Sequence, residues 1–482
     1  SSLPTNAPRT PSYVLPYTSS TRLARDIQPL VETHAGLSGF YVMNDGVDAF
    51  ATRLRITQAA EESIDAQYYI WHTDLTGNAM YNQLLHAADR GVRVRILLDD
   101  LDTAGKDDML QLIDAHPNVE VRLYNPFANR GMRAGDFVTD TRRVNHRMHT
   151  KTLTVDNQVT VFGGRNIGDE YFAAAKDVGF NDMDALAIGP IVPEVSSQFD
   201  LFWNSEWVYP VSAFPRDEPI TEESVSEFRK LSDEPMSEAK DSEYADVIRQ
   251  LDTLSLTSFA ELDMSWSDWL LAYDPPITGE DSEITAEVIL APKLKAGMDR
   301  AKTQWDIVSP YFVPGEEVTR CLTDKAQEGV QVRILTNSLE SNDVSLVHAG
   351  YMRYREDLIA GGVELYEFKA VINRALEEEM GRNKIDAERA SLHAKFSGFD
   401  RRFLFIGSFN LDARSAVLNT ELGAYFESPR HARRLAEIFD KQIMLVAYRV
   451  QLDEDGELEW ITLDEDGQER RVDQEPDTTF WK

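Results

Sequence analysis

The sequence predicts an α/β protein built from two αβα sandwich repeats in one chain, related by a pseudo-two-fold axis, with one active site at their interface. Three observations predict it. At 482 residues the chain exceeds the size at which a single core usually splits. A helix-then-strand stretch recurs: Ala87-Ala88-Asp89-Arg90-Gly91-Val-Arg-Val-Arg-Ile-Leu97 is echoed by Lys325-Ala326-Gln327-Glu328-Gly329-Val-Gln-Val-Arg-Ile-Leu335, and Tyr68-Tyr69-Ile70-Trp71 by Ser309-Pro310-Tyr311-Phe312. One polar pattern, His-x-Lys-x4-Asp-x6-Gly-(Gly/Ser)-x-Asn, also occurs twice, at His149, Lys151, Asp156, Gly163, Gly164 and Asn166 and at His393, Lys395, Asp400, Gly407, Ser408 and Asn410. A period near half the chain means duplication and not a solenoid.

Taken in order, residues 1–36 read as an N-terminal tether, because Ser1 to Ser20 are rich in Ser, Thr and Pro. The first repeat spans 37–212. Ala49, Leu54, Ile56 and Ala59-Ala60 predict a helix, Ile64 to Ile70 a strand, and Met80, Leu84, Leu85 and Ala88 a second helix stopped by Gly91. A strand at 92–98, a helix around 109–115 and a strand at 119–124 continue the alternation. Lys151 to Val155 and Gln158 to Phe162 alternate polar and apolar residues around Asp156-Asn157, which predicts a hairpin with His149 and Lys151 on one strand face.

Residues 213–283 read as an acidic linker or insertion, whose Trp266, Trp269, Leu270, Leu271 and Tyr273 pack on a domain more readily than they bind an acyl chain. The second repeat runs over 284–450, with Leu376 to Met380 and Asn383 to Arg389 expected as helical cover ahead of its motif. The acidic tail, 451–482, carries strand-like segments and no legible chemistry.

The formal net charge of −33 argues against a nucleic-acid partner, which would need many Lys and Arg contacts. It leaves room for phosphate chemistry at a local basic patch of Arg142, Arg143, Arg147, Lys151 and Arg165. Cys321 is the sole cysteine, so no internal disulfide forms, and no run is long enough for a transmembrane helix. A start at Ser followed by a Ser/Thr/Pro-rich stretch suits an exported, lipid-anchored protein or a trimmed chain alike.

A lone histidine on a strand is usually structural. Six constrained positions repeated in order are not explained that way. The two copies resemble the duplicated His-Lys-Asp motif of the phospholipase D superfamily. Gly163-Gly-Arg-Asn-Ile-Gly-Asp-Glu-Tyr171-Phe, Gly407-Ser-Phe-Asn-Leu-Asp-x-Arg414-Ser-x-x-x-Asn419-Thr-Glu421 and the closing Glu475-Pro476 to Phe480-Trp481 resemble its bacterial cardiolipin synthase branch. The resemblance covers roughly Leu37 to Arg449, and implies two phospholipase D-like repeats.

By that resemblance His149 attacks phosphorus to give a phosphohistidine, while His393 protonates the departing alcohol and deprotonates the incoming one. Lys151, Lys395, Asn166 and Asn410 hold the non-bridging oxygens. Gly163, Gly164, Arg165, Gly407 and Ser408 line the substrate. Each histidine needs an acid to fix its tautomer; Glu421 matches the family position in the second copy, and Asp182, preferred to Asp184, is the expected equivalent in the first. Asp156 and Asp400 sit at turns and read as structural.

No metal or other cofactor is expected. Gly163-Gly164-Arg-Asn-Ile-Gly168 is neither a Rossmann fingerprint nor a P-loop, and no His-Glu-x-x-His or cysteine cluster occurs. The implied activity is phosphatidyl transfer making cardiolipin from phosphatidylglycerol and a second phospholipid. Hydrolysis of phospholipids to phosphatidic acid is the alternative, ahead of a nuclease or a non-catalytic lipid-binding protein. The implied partners are phospholipids and a bacterial membrane surface, periplasmic or cytoplasmic, for a monomer with room for an accessory protein.

Overall fold

Strand and helix alternate in the same order through both halves of the chain because buried apolar runs alternate with half-buried helical ones. The structure, a computed structural model, describes residues 3–4, 9–16, 19–172, 178–216, 218–238, 246–247, 258–276, 296–341, 345–369, 389–412, 415, 418–464 and 467–476. Two units form. One comprises Ser1–Phe172, Asp184–Ser282 and Leu418–Leu422; the other comprises Ala173–Met183, Glu283–Val417 and Gly423–Lys482.

The first unit runs α1 (Arg22–Thr33), β1 (Ser38–Met43), α2 (Gly46–Gln58), β2 (Ser63–Tyr68), α3 (Leu75–Asp89), β3 (Arg93–Asp99), α4 (Asp107–Asp114) and β4 (Val119–Tyr124). Two short helices, α5 (Ala134–Thr139) and α6 (Thr141–Val144), lead to β5 (Arg147–Met148), β6 (Thr152–Val155) and β7 (Val159–Gly163). The chain then gives β8 (Val178–Asn181) to the second unit and returns with β9 (Asp184–Ile188), α7 (Ile191–Trp203), β10 (Val208–Pro210), α8 (Glu222–Glu238), β11 (Ser265–Ser267) and β12 (Trp269–Tyr273). Its sheet has the order β10-β4-β3-β2-β6-β7-β9-β1-β11, parallel at β2-β3-β4 and antiparallel elsewhere.

The second unit repeats this plan. It runs β13 (Gln304–Val308), α9 (Gly315–Gln327), β14 (Gln331–Asn337), α10 (Ser345–Tyr351), α11 (Arg355–Ala360), β15 (Glu364–Phe368), β16 (Arg389–Leu392), β17 (Phe396–Phe399) and β18 (Phe403–Gly407). β19 (Asn419–Thr420) belongs to the first unit; β20 (Leu422–Glu427), α12 (Pro429–Lys441), α13 (Ile443–Val446), β21 (Ala447–Leu452), β22 (Leu458–Leu463) and β23 (Glu469–Val472) follow. The sheet order β20-β18-β17-β13-β14-β15 matches β9-β7-β6-β2-β3-β4, and β21, β22 and β23 extend it beyond β15.

A buried ion network recurs at matching register. Arg95 on β3 pairs with Asp65 on β2 at 2.7 Å and with Asp200 on α7 at 2.9 Å. Arg333 on β14 pairs with Asp306 on β13 and Asp440 on α12, both at 2.6 Å. The echoed Val-Arg-Ile-Leu run therefore carries an arginine that ties a covering helix to the sheet in each unit. Breaking one such pair would strand its partner charge in the interior, a cost of about 3–5 kcal/mol.

Two expectations change, for the tether and for the motif strands, and two more, for the insertion and the tail, gain detail. Described residues of the predicted tether are held by the first unit: the Ser12 carbonyl accepts from Arg95 and Asn204, the Thr10 carbonyl accepts from Arg122, and the Val14 N–H donates to Asp200. α1 buries Leu23, Ala24 and Ile27. An extended segment held by other elements' side chains has no periodicity of its own, so composition alone misreads it. The insertion holds α8, and its Trp266 lies in β11 opposite Gly39 and stacks on His34 with centroids 4.0 Å apart.

The tail is anchored as well. Glu475 accepts from Arg355 and His348 at 2.7–2.8 Å, and these hydrogen bonds bring its carboxyl down to about 2 against the opposing push of burial. Finally, His149 and Lys151 lie in the break between β5 and β6 instead of on one continuous strand, as do His393 and Lys395 between β16 and β17. The expected cover at 376–380 and 383–388 lies outside the described residues.

Candidate functional site

Each motif hairpin is set by its aspartate. Asp156 and Asn157 take φ of 51°, as does Asp400, with Arg401 at 55°, left-handed turn conformations that Asp and Asn tolerate. The Asp156 carboxylate accepts N–H bonds from Glu61, Glu62 and Ser63, and Asp400 accepts them from Lys302, Thr303 and Gln304, at 2.8–3.0 Å. These amides begin β2 and β13, so each motif aspartate pins its hairpin to the neighbouring strand. Burial pushes the Asp156 carboxyl up despite those bonds. At the more exposed Asp400 burial acts the same way, but the amide bonds outweigh it and hold the carboxyl below its ordinary value.

β5 is positioned by charge. Asp99, at the end of β3, accepts from Met148 N at 2.7 Å and from Arg147 at 3.1 Å, while Arg147 also donates to the Val144 and Asn125 carbonyls. β5 then pairs in parallel with β19, Arg147 opposite Asn419 and Met148 opposite Thr420, and His149 N donates to the Thr420 carbonyl at 2.9 Å. One residue further, Glu421 meets the histidine.

The His149 Nδ1–Glu421 Oε2 distance is 2.9 Å, with Glu421 fully buried and His149 7% exposed. In the second unit β16 pairs in parallel with β8, and the His393 Nδ1–Asp182 Oδ2 distance is 2.6 Å. A carboxylate can only accept, so Nδ1 carries a proton in each ring, and Nε2 is the nitrogen that can hold a lone pair or a second proton. This reverses one expectation: the acid for the first motif's histidine is Glu421, and Asp182 serves the second. The cause is the chain path, which sends residues 418–422 into the first unit and 173–183 into the second.

Strand register also separates Asp182 from Asp184. Gly163 pairs with Asp184 and Gly407 with Gly423, so Asp182 and Glu421 each stand two residues before the equivalent position. Asp184 is engaged elsewhere, with Arg53 at 2.8 Å and Arg165 at 3.3 Å.

The remaining motif residues divide. Lys151 Nζ donates to the His149 carbonyl and lies 5.3 Å from the Tyr69 ring centre; Tyr69 in turn meets the His149 ring edge-on at 4.7 Å. Lys395 Nζ donates to the His393 carbonyl and lies 3.1 and 3.2 Å from the two ring nitrogens of His393. Asn166 Oδ1 accepts from Ile70 N at 3.1 Å, which leaves the amide hydrogens as the donors Asn166 can offer a ligand. The Asn410 side-chain oxygen, Oδ1, has no hydrogen-bond partner among the described residues. Gly163 holds φ at 157°, and Ser408 is fully buried.

Arg165 does not join these groups. Its guanidinium donates to the carbonyls of Tyr171, Met43 and Asn44 at 2.8–3.1 Å, so it ties loops together instead of lining the substrate. The expected basic patch dissolves likewise: Arg147 is fully buried, Arg143 donates to Asn125 and the Pro126 carbonyl, and the Arg142 side chain lies outside the described residues.

Asp274 was not foreseen. It follows β12 and is 6% exposed; its Oδ2 accepts from Glu421 N at 2.9 Å, and its own N–H donates to the Glu421 carbonyl at 3.0 Å. It clamps the backbone of the residue that braces His149. The only signal in the sequence was a lone Asp before Pro275-Pro276.

Among the described residues His72, Asp74 and Glu170 have metal-ligand spacing. Their donors are otherwise committed. Glu170 meets His72 Nδ1 at 3.0 Å and raises its affinity for a proton, while Asp74 accepts from Gly77 N and Asp169 N at the start of α3.

Two units of this topology, each carrying an Nδ1-braced histidine together with the lysine and asparagine of one motif, define a duplicated phosphodiester-transfer protein. The chain belongs to the phospholipase D superfamily, in its cardiolipin synthase branch: the model of the cardiolipin synthase phospholipase D-like domain matches residues 54–203 and 294–443. It is 39% identical over 468 residues to cardiolipin synthase C of Escherichia coli (strain K12), covering 96% of each chain. It is 33% identical over 404 residues to a Helicobacter pylori (strain J99) protein, covering 83% of this chain and 78% of that one. In fold it is similar to the phosphatidylserine synthase of Haemophilus influenzae Rd KW20, with TM-score 0.54, 14% identity and 88% and 90% coverage.

Proposed function

We propose that this chain is a cardiolipin synthase that makes cardiolipin from phosphatidylglycerol and a second phospholipid, passing a phosphatidyl group through a phosphohistidine to the headgroup glycerol of phosphatidylglycerol. The observation that carries the reading is the pair of Nδ1-braced histidines, His149 on Glu421 and His393 on Asp182. Identity to a cardiolipin synthase along 96% of both chains supports the choice of acceptor class.

His149 Nε2 attacks phosphorus and the bond to the headgroup alcohol oxygen breaks; the departing alkoxide takes a proton from Nε2 of His393, which enters the step as the imidazolium. The primary hydroxyl of the accepting phosphatidylglycerol then returns a proton to His393 and attacks phosphorus, releasing His149. Such acid–base help is worth about 10²–10⁴-fold. Lys151, Lys395 and the carboxamides of Asn166 and Asn410 offset the charge on the non-bridging oxygens, a task that metal ions perform in many other phosphoryl-transfer enzymes. The substrates place this work at a membrane surface, and no described helix is long and apolar enough to cross one.

Mass spectrometry of products from mixed phosphatidylglycerol and phosphatidylethanolamine vesicles tests the reading. Cardiolipin is expected; phosphatidic acid without cardiolipin would assign hydrolysis instead. Full turnover by His149→Ala would overturn the nucleophile.

A further inference from the structure

The segment between β4 and β5 has its polarity inside out. Met132 and Val138 are 65% and 83% exposed, the two most exposed large apolar side chains among the described residues, and Phe137 beside them is 38% exposed. The charged side chains around them turn inward. Arg130 pairs with Asp100 and donates from Nε to Asp107 at 2.8 Å; Arg133 donates to Thr103 Oγ1 at 3.0 Å and lies 3.5 Å from Asp100. Asp136 is buried and accepts from Asn129 N at 3.1 Å. Water around this loop would favour the opposite arrangement, with arginines outside and Met, Phe and Val within.

We propose that Met132, Phe137 and Val138 form a membrane-docking tip that inserts into the interfacial layer of a phospholipid bilayer. The proposal rests on the phospholipid-transfer reading above, and adds where the protein meets the lipid. Two features favour a bilayer over a protein partner. The segment runs through α6 and β5 straight into His149, so a tip held in the lipid surface keeps the motif near headgroup phosphates. The formal net charge of −33 also makes charge-driven binding to an anionic membrane unfavourable for the chain as a whole. An apolar tip with its own charges paired internally avoids that repulsion, because interfacial binding scales with buried apolar area. The arginine pins make the tip rigid: Arg143, bonded to Asn125 and the Pro126 carbonyl, closes the loop at its far end.

The test uses the full chain and vesicles of phosphatidylglycerol and phosphatidylethanolamine. In flotation, the double variant Met132→Ser/Val138→Ser should bind at least about tenfold more weakly than wild type, and wild-type binding should persist in about 1 M salt. Both proteins should convert dispersed, short-chain phosphatidylglycerol at the same rate. A variant that floats like wild type overturns the docking tip. If neither protein converts the dispersed lipid, the transfer reading fails, while flotation still decides the docking.

A second readout is independent of the double variant. Val138→Cys in a Cys321→Ser background, labelled with a polarity-sensitive dye, should shift its emission to the blue on adding vesicles. No shift, or a shift that follows protein concentration without vesicles and so reports a second copy, overturns the proposal.

Discussion

If Glu421 fixes the tautomer of His149, the substitution Glu421→Gln should damage chemistry and spare the fold. The change is isosteric. Glu421 is fully buried, and its backbone is held from both sides by Asp274, through the 2.9 Å bond from its N–H and the 3.0 Å bond into its carbonyl, so a glutamine side chain should occupy the same place. What is lost is a charge-assisted bond of 2.9 Å to Nδ1. Hydrogen bonds to charged groups contribute about 1.5–3 kcal/mol, which converts to about a 10- to 150-fold fall in kcat. Glutamine can also turn its NH2 toward the ring and stabilise the tautomer with the proton on Nε2, where the nucleophilic lone pair is needed, so the upper end of the range is expected. Replacing a buried carboxylate by a neutral isostere should change unfolding free energy by no more than about 1 kcal/mol. The assay is initial-rate cardiolipin formation alongside thermal unfolding. A kcat within twofold of wild type, with unchanged Tm, would refute the idea that the carboxylate acts through the ring; a fall in kcat matched by partial unfolding would refute its chemical origin.

Two further outcomes follow from the same geometry. Asp274→Ala should lower kcat by about tenfold, because it leaves the buried Glu421 N–H without an acceptor at a cost of about 1–3 kcal/mol, whereas Asp274→Asn keeps an acceptor and should stay within about threefold; equal effects of the two would show that the clamp is not the cause. Asp400, whose folded-state carboxyl lies below its ordinary value, contributes stability above the unfolded carboxylate range near pH 4 that is lost as pH falls through the folded value. Asp156, raised in the folded state, has the opposite sign, so its contribution is present at low pH and is lost as pH rises through the folded value. Asp400→Asn should therefore flatten the acid side of a plot of Tm against pH below about pH 5, and an unchanged slope would argue against the amide bonds as its origin.

What could be read in advance follows the range of the interactions. α2, α3, β2, β3 and β4 come from apolar periodicity and the stop at Gly91, with φ of 97°, all local to a few residues. The turns at Asp156 and Asp400 were legible for the same reason. Arg165 was misassigned because a cation within a phosphate-binding motif looks like a ligand contact, and nothing local shows that the carbonyls of Met43 and Asn44 receive it. Asp274 escaped notice because its partner is Glu421, far along the chain, and because an acidic insertion hides one more acid.

The exchange of carboxylates is the least local feature of all. Duplication suggests that each copy is self-sufficient, and the matching positions of Asp182 and Glu421 relative to their hairpins strengthen that impression. Yet β19 pairs with β5 and β8 with β16, so each histidine takes its brace from the other half of the sequence. A half-chain with a complete His-Lys-Asn motif would still lack the group that fixes its histidine's tautomer. Loss of the acid from one copy would consequently disable the histidine of the other. That coupling gives a physical reason for a chain of this kind to hold both copies in full, although the proposed chemistry asks different tasks of His149 and His393.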